Sequence, residues 1–177
     1  HPLGDTNAFK SMVNALRSRG IDVYADVLMN HMANESAQRP DLNYPGTSVL
    51  NLYSGNTTYY NGIRLFGNLG FNFLSGNDFG ETRCISDYND VWQVQNWRLC
   101  GGGGDVGLPD LKNASYVIFQ QQEYLRQLKL IGVKGFRIDA AKHMPLSHLN
   151  GVLTADIKSG MYVFGEIITG GGAGNLE

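Results

Sequence analysis

"GFRIDAAKH", residues 135–143, reads as a short buried strand that carries an arginine and an aspartate. In an extended chain, side chains two apart lie on the same face. Arg137 and Asp139 therefore point one way, and Phe136, Ile138 and Ala140 the other. One face suits a core. The charged face must look onto something other than plain core or plain water. Two readings are open: a structural ion pair on a half-exposed strand, or a strand end that lines a site. The flanking sequence has to decide.

Upstream, residues 5–19 read as a helix. Asp5 or Thr6 can cap it, Phe9, Met12, Val13 and Leu16 form an apolar stripe, and Gly20 can end it. A strand, "IDVYADVLM", follows at 21–29, with Asp22, Tyr24 and Asp26 on one face and Val23, Ala25 and Val27 on the other. A second helix spans about 114–131, ends at Gly132 and leads into the quoted strand. Pro145 suits the first turn of a third helix, with Leu146, Leu149, Val152 and Leu153 on its buried side. "MYVFGEI", 161–167, then places Tyr162, Phe164 and Glu166 on one face of a third strand.

Strands that alternate with helices predict βαβ units and a parallel sheet. Each strand has an acid near its C-terminal end: Asp26, Asp139 and Glu166. In α/β barrels that end is where the chemistry sits. Asp139 and Glu166 are 27 positions apart, an ordinary βα repeat, whereas Asp26 and Asp139 are 113 apart. Roughly residues 32–112 must therefore be an excursion. It is rich in Gly, Asn, Tyr and Ser, as in "GNTTYYNG" and "CGGGGDVG", yet Tyr59, Tyr60, Phe71, Phe73, Trp92 and Trp97 favour folded structure over a disordered linker. The expectation is an irregular, partly β subdomain standing on the strand ends.

The whole chain has 177 residues, 42% hydrophobic and 17% charged, with a net charge of -2. That is enough for one domain with a real core. Nothing in the charge points to nucleic acid or an anionic membrane, and no apolar run nears the roughly 18 residues of a membrane span. Cys84 and Cys100 fit one disulfide of an exported protein, or two free thiols.

Four segments now stand in order: "DVLMNH" at 26–31, "LPDL" at 108–111, "GFRIDAAKH" and "FGEI" at 164–167. Their order and spacing resemble the conserved blocks of the α-amylase family of glycoside hydrolases, over nearly the whole chain. "YNDVWQVQNWRL" and "GVKGFRIDAAKHM" look closest to the chloride-dependent animal and bacterial members. The resemblance implies part of a (β/α)8 barrel, about strands three to five, built from residues 1–31 and 113–177, with 32–112 inserted after strand three.

It also implies roles. Asp139 would be the nucleophile and Glu166 the general acid/base of a retaining α-1,4-glucan hydrolase, whose two carboxyl groups stand about 5–5.5 Å apart. Acids at the ends of adjacent parallel strands, about 4.8 Å apart, suit that demand. Arg137 would hold Asp139 ionised. His31, Lys142, His143 and Ile168 would touch sugar, and Asp26 would support the site. Asn30 and Asp110, with backbone oxygens of His143 and Gln95, would hold Ca²⁺, which prefers hard oxygen ligands. The likeness to the chloride-dependent members extends to a chloride ion beside Arg137. Near relatives place the second subdomain cysteine about where Trp97 stands, whereas this chain offers Cys100.

A later block ending in His-Asp, which carries the family's third carboxylate, does not occur in the chain. An internal fragment of a longer, secreted, monomeric enzyme acting on starch, glycogen or maltooligosaccharides is therefore expected. Within enzymes the alternative is a related maltooligosaccharide-forming or transglycosylating activity. Outside them it is a non-catalytic barrel relative, which would be expected to lose Asp139 or Glu166; both are present.

Overall fold

The computed structural model describes residues 5–32, 78–103 and 107–177. Helix α1 (Thr6–Arg17) starts where Asp5 accepts a hydrogen bond from the Ala8 N–H, and the chain turns at Gly20 with φ +74°. Val13 is fully buried, but Met12 lies 46% exposed at the edge of the expected stripe. Strand β1 (Tyr24–Leu28) follows, then, beyond the excursion, helix α3 (Ser115–Ile131) and strand β2 (Gly135–Asp139). Helix α2 (Val91–Asn96) is a short piece within the excursion, capped by Asp90. Helices α4 (Leu146–Val152) and α5 (Ala155–Lys158) lead to strand β3 (Tyr162–Gly165).

The three strands pair in parallel in the order β1-β2-β3, with Asp26 opposite Arg137 and Arg137 opposite Phe164. The alternation read from the sequence produces two unlike faces. Val27, Phe136 and Ile138 point into a core shared with Leu125 and Leu128 of α3, Val152 of α4 and Ile157 of α5. Full burial of such a side chain contributes about 1.5–3 kcal/mol. The opposite face carries Tyr24, Leu28, Tyr162 and Phe164, all more than 40% exposed, around Arg137. Gly135 has no side chain because a Cβ there would lie 2.0 Å from the ring of Tyr24, which packs edge-on against Tyr162.

In the excursion the described residues form isolated β-bridges rather than continuous strands: His31 with Asp110, Phe79 with Leu111, and Cys84 with Arg98. A disulfide joins Cys84 to Cys100. Tyr59, Tyr60, Phe71 and Phe73 lie outside the described residues. Trp92 and Trp97 pack edge to face, although Trp92 remains 57% exposed.

Helix α4 departs from the expected stripe. Leu146 is 69% exposed, while His148 is buried among the helices. His148 Nε2 donates to Gln121 Oε1 at 2.7 Å, and Gln121 Nε2 donates to the Met29 carbonyl at 2.8 Å. A pair of polar hydrogen bonds thus ties α4 and α3 to the end of β1. Burial lowers the His148 pKa from 6.5 to about 4. The unfolded chain therefore binds the proton first as pH falls. The stability this site contributes is full above about pH 6.5 and is lost as pH drops toward 4. Between pH 7 and 4.5 the loss should be about 2–3 kcal/mol. Urea unfolding of the full-length protein at both pH values checks it: His148→Gln should flatten that slope, and an unchanged slope would show that His148 is not the group responsible.

Candidate active site

Register brings the acids together. Asp26 stands directly across from Arg137, Asp139 ends the same strand, and Glu166 follows Gly165 at the end of β3. The guanidinium of Arg137 is their common partner. Its Nη1 lies 2.5 Å from Asp26 Oδ1 and 3.0 Å from Asp139 Oδ1, and its Nη2 lies 2.6 Å from Glu166 Oε1. The planar fork of an arginine suits such multiple carboxylate contacts. The hydrogen bonds that Arg137 donates to Asp26 and Asp139 push its pKa further up, so it stays cationic. Among the described residues, Arg137 is the one cation paired with these three acids. The charged face of the quoted strand is thus an ion-pair hub at the C-terminal edge of the sheet.

Glu166 is fixed from both sides. Its backbone N–H donates to the Ile138 carbonyl at 2.9 Å, and its Oε2 accepts from the Ala140 N–H at 3.2 Å. Ala140 adopts φ 49°, the one left-handed non-glycine conformation among the described residues. No sequence signal marks that alanine, and the reading from sequence missed it.

Two histidines border the acids. Burial lowers the His31 pKa, while the nearby Asp139 charge acts to raise it. Its Nδ1 is 3.4 Å from Asn30 Nδ2. His143 is also depressed, mainly by burial; its hydrogen bond to the Val94 carbonyl and the Asp139 charge oppose this, and Lys142 and His31 reinforce it. With Nδ1 3.1 Å from that carbonyl, a neutral His143 donates there and leaves Nε2 as an acceptor. The ring stands edge-on to Tyr88.

Lys142, expected to touch sugar, is buried against the chain's own backbone. It is 8% exposed, and its Nζ donates to the carbonyls of Ile168 at 2.9 Å and Ala173 at 2.6 Å. The ammonium thereby fastens the segment after Glu166. The Ile168 side chain is 60% exposed. On its other side that segment meets the excursion, where Asn89 accepts from the Asn175 N–H at 3.0 Å.

Asn30 and Asp110 meet at the junction of sheet and excursion. Both are buried, and the Leu111 N–H donates to the Asn30 carbonyl at 2.8 Å. Burial raises the Asp110 pKa to about 8, against the pull of Arg98. Gly80 adjoins the carboxyl: a Cβ there would sit 2.9 Å from Asp110 Oδ2 and 3.1 Å from the Asn96 carbonyl oxygen. Gln95 precedes Asn96 at the end of α2 and is partly buried. Among the described residues, no cluster of three His, Cys, Asp or Glu side chains forms a metal site. The oxygens that a Cβ at Gly80 would meet are one carboxylate, that of Asp110, and one backbone carbonyl, that of Asn96.

No protein-family profile matches the chain. It is 55% identical to an alpha-amylase of Aeromonas hydrophila over 176 residues, covering 99% of this chain and 38% of that protein. It is 34% identical to human alpha-amylase 2B over 158 residues, covering 85% of this chain and 27% of that one. Among solved structures, an alpha-amylase I from Eisenia fetida in complex with maltohexaose superposes with a TM-score of 0.65 at 26% identity, covering 97% of this chain and 33% of that structure. The fold is accordingly a sector of a TIM barrel. The chain spans well under half the length of these relatives.

Proposed function

We propose that this member of the α-amylase family supplies two catalytic carboxylates, Asp139 and Glu166, to a retaining, endo-acting α-1,4-glucan hydrolase. The observation that carries the reading is the hub: one guanidinium holds both acids at the C-terminal edge of a parallel sheet. Acids on the two terminal nitrogens of one arginine are compatible with the roughly 5–5.5 Å separation of a retaining pair. Asp139 attacks the anomeric carbon as the C–O bond to the leaving sugar breaks, and Glu166 gives that oxygen its proton. Glu166 then takes a proton from the water that hydrolyses the Asp139 ester. His31 and His143 hydrogen-bond sugar, and Asp26 steadies Arg137. Ile168 offers an apolar contact to the leaving-group side, on a segment that Lys142 fastens. The maltohexaose complex of the Eisenia relative supports a glucan substrate. The test is starch hydrolysis by the full-length protein with Asp139 replaced; a variant that hydrolyses starch normally removes the reading.

Residues 32–112 form the inserted subdomain of this enzyme, between the barrel parts 1–31 and 113–177. The disulfide suits export to an oxidising compartment. The donors around Asp110 fit Ca²⁺, because a dication would keep a buried carboxylate ionised and take the Asn30 amide and carbonyls as hard ligands. Asn30, Asp110 and the backbone carbonyls of Gln95 and His143 would hold it. When bound, it supplies a charge that ties the excursion to the sheet. Chelation should lower the melting temperature of the full-length protein. An ion at a hundredfold excess over its Kd contributes about 2.7 kcal/mol. Asp110→Ala should unfold at the chelated temperature with or without calcium; a calcium-dependent shift in that variant would mean that Asp110 is not a ligand. A chloride ion at Arg137 would share the guanidinium with three carboxylates.

A further inference from the structure

The left-handed residue beside the nucleophile has a consequence for the other acid. Ala140 follows Asp139 directly, adopts φ 49°, and donates its N–H to Glu166 Oε2 at 3.2 Å. Alanine gains nothing from that conformation, which disfavours any residue with a Cβ. The turn is held by its neighbours. Ala141 begins a 3-10 turn closed by the His143 N–H on the Ala140 carbonyl and the Met144 N–H on the Ala141 carbonyl. The Ala141 methyl packs onto Gly165, the residue before Glu166, so closely that a Cβ at Gly165 would lie 2.6 Å from it. β2 and β3 therefore meet without a spacer at the point where both acids leave the sheet. The Arg137 Nη2 contact at 2.6 Å fixes Oε1 as an acceptor. Oε2 is left to carry the proton, on a lone pair that the long Ala140 contact does not use.

We propose that Ala140 and the Ala141–Gly165 contact are the positioning device of the acid/base: the left-handed turn sets where Glu166 Oε2 points, and hence where its proton is delivered. This rests on the retaining-hydrolase reading above and extends it to residues that touch no sugar. The step concerned is glycosidic cleavage, in which the Asp139 oxygen bonds to the anomeric carbon, the bond to the leaving oxygen breaks, and the Glu166 proton passes to that oxygen.

A leaving group that needs no proton separates positioning from general packing. With α-maltosyl fluoride the bond to carbon breaks to release fluoride, and kcat/KM reports that first step. In the full-length enzyme, Gly165→Ala forces the two strand ends apart. Its kcat/KM on maltohexaose should fall about a hundredfold, the scale of an ångström-sized misplacement, and on the fluoride less than about fivefold. Ala140→Val, whose β-branch resists the left-handed turn, should show the same selectivity. Ala140→Gly keeps the N–H and accepts the turn freely, so it should stay within about threefold on both substrates.

Equal losses on the two substrates in Gly165→Ala or Ala140→Val would reduce the contact to ordinary packing and overturn the proposal. So would a tenfold loss on maltohexaose in Ala140→Gly, a variant whose folding is not in question. A wild-type enzyme inactive on both substrates would instead remove the functional reading on which the proposal stands.

Discussion

Asp139→Asn in the full-length protein is expected to lose starch hydrolysis almost completely, by about five orders of magnitude in kcat, the scale seen when a catalytic nucleophile is removed. An amide does not form the glycosyl ester, and no neighbouring acid takes over. Asp26 is held at Arg137 Nη1, and Glu166 is bound at Nη2 and by the Ala140 N–H. The fold should persist, because asparagine keeps the shape and can still accept from Arg137. Reducing-sugar release from soluble starch, read beside the melting temperature, checks both parts. A variant with a tenth of wild-type activity and a native melting temperature would show that Asp139 is not the nucleophile.

Arg137→Gln should cost about a thousandfold in kcat, with a smaller change in KM. The estimate follows from two losses: a preorganised charge beside the reacting groups, and the geometry of both acids. Three carboxylates would then face one another with no described cation among them. Arg137→Lys should not rescue the enzyme, since one ammonium on a flexible stem cannot replace a two-ended fork. Steady-state kinetics on maltohexaose decide this. More than a tenth of the wild-type rate in Arg137→Lys would mean that only charge matters at this position and that the fork does not align the pair.

Much of this was legible in the residues. The period-two alternation of Phe136, Arg137, Ile138 and Asp139 separates the two faces of β2, and both faces stand as the alternation requires. Gly132, left-handed at φ 109°, ends α3 as a glycine after an apolar stripe should. The partner of Asp26 was not legible, because facing Arg137 depends on strand register between residues 111 positions apart. The backbone partners of Lys142 were not legible for a similar reason. Nothing beside Lys142 in sequence marks the carbonyls of Ile168 and Ala173 that close over it from 26 and 31 positions away. His148 was not legible because the apolar stripe of its helix is carried by leucines and a valine, while its partner Gln121 lies 27 positions away. Ala140 left no trace in the sequence at all. Its backbone is dictated by the Ala141–Gly165 contact and not by its own preference.

The central claim, that Asp139 forms a covalent bond to sugar while Glu166 manages the proton, is tested most directly by trapping the intermediate. The full-length enzyme would be treated with a fluorine-substituted maltosyl fluoride, whose ester forms and hydrolyses slowly, then digested and examined by mass spectrometry. The account predicts one added glycosyl group, carried by the peptide containing residues 135–143 and located on Asp139. An adduct on Glu166, or turnover that releases the inverted anomer with no adduct, would contradict it.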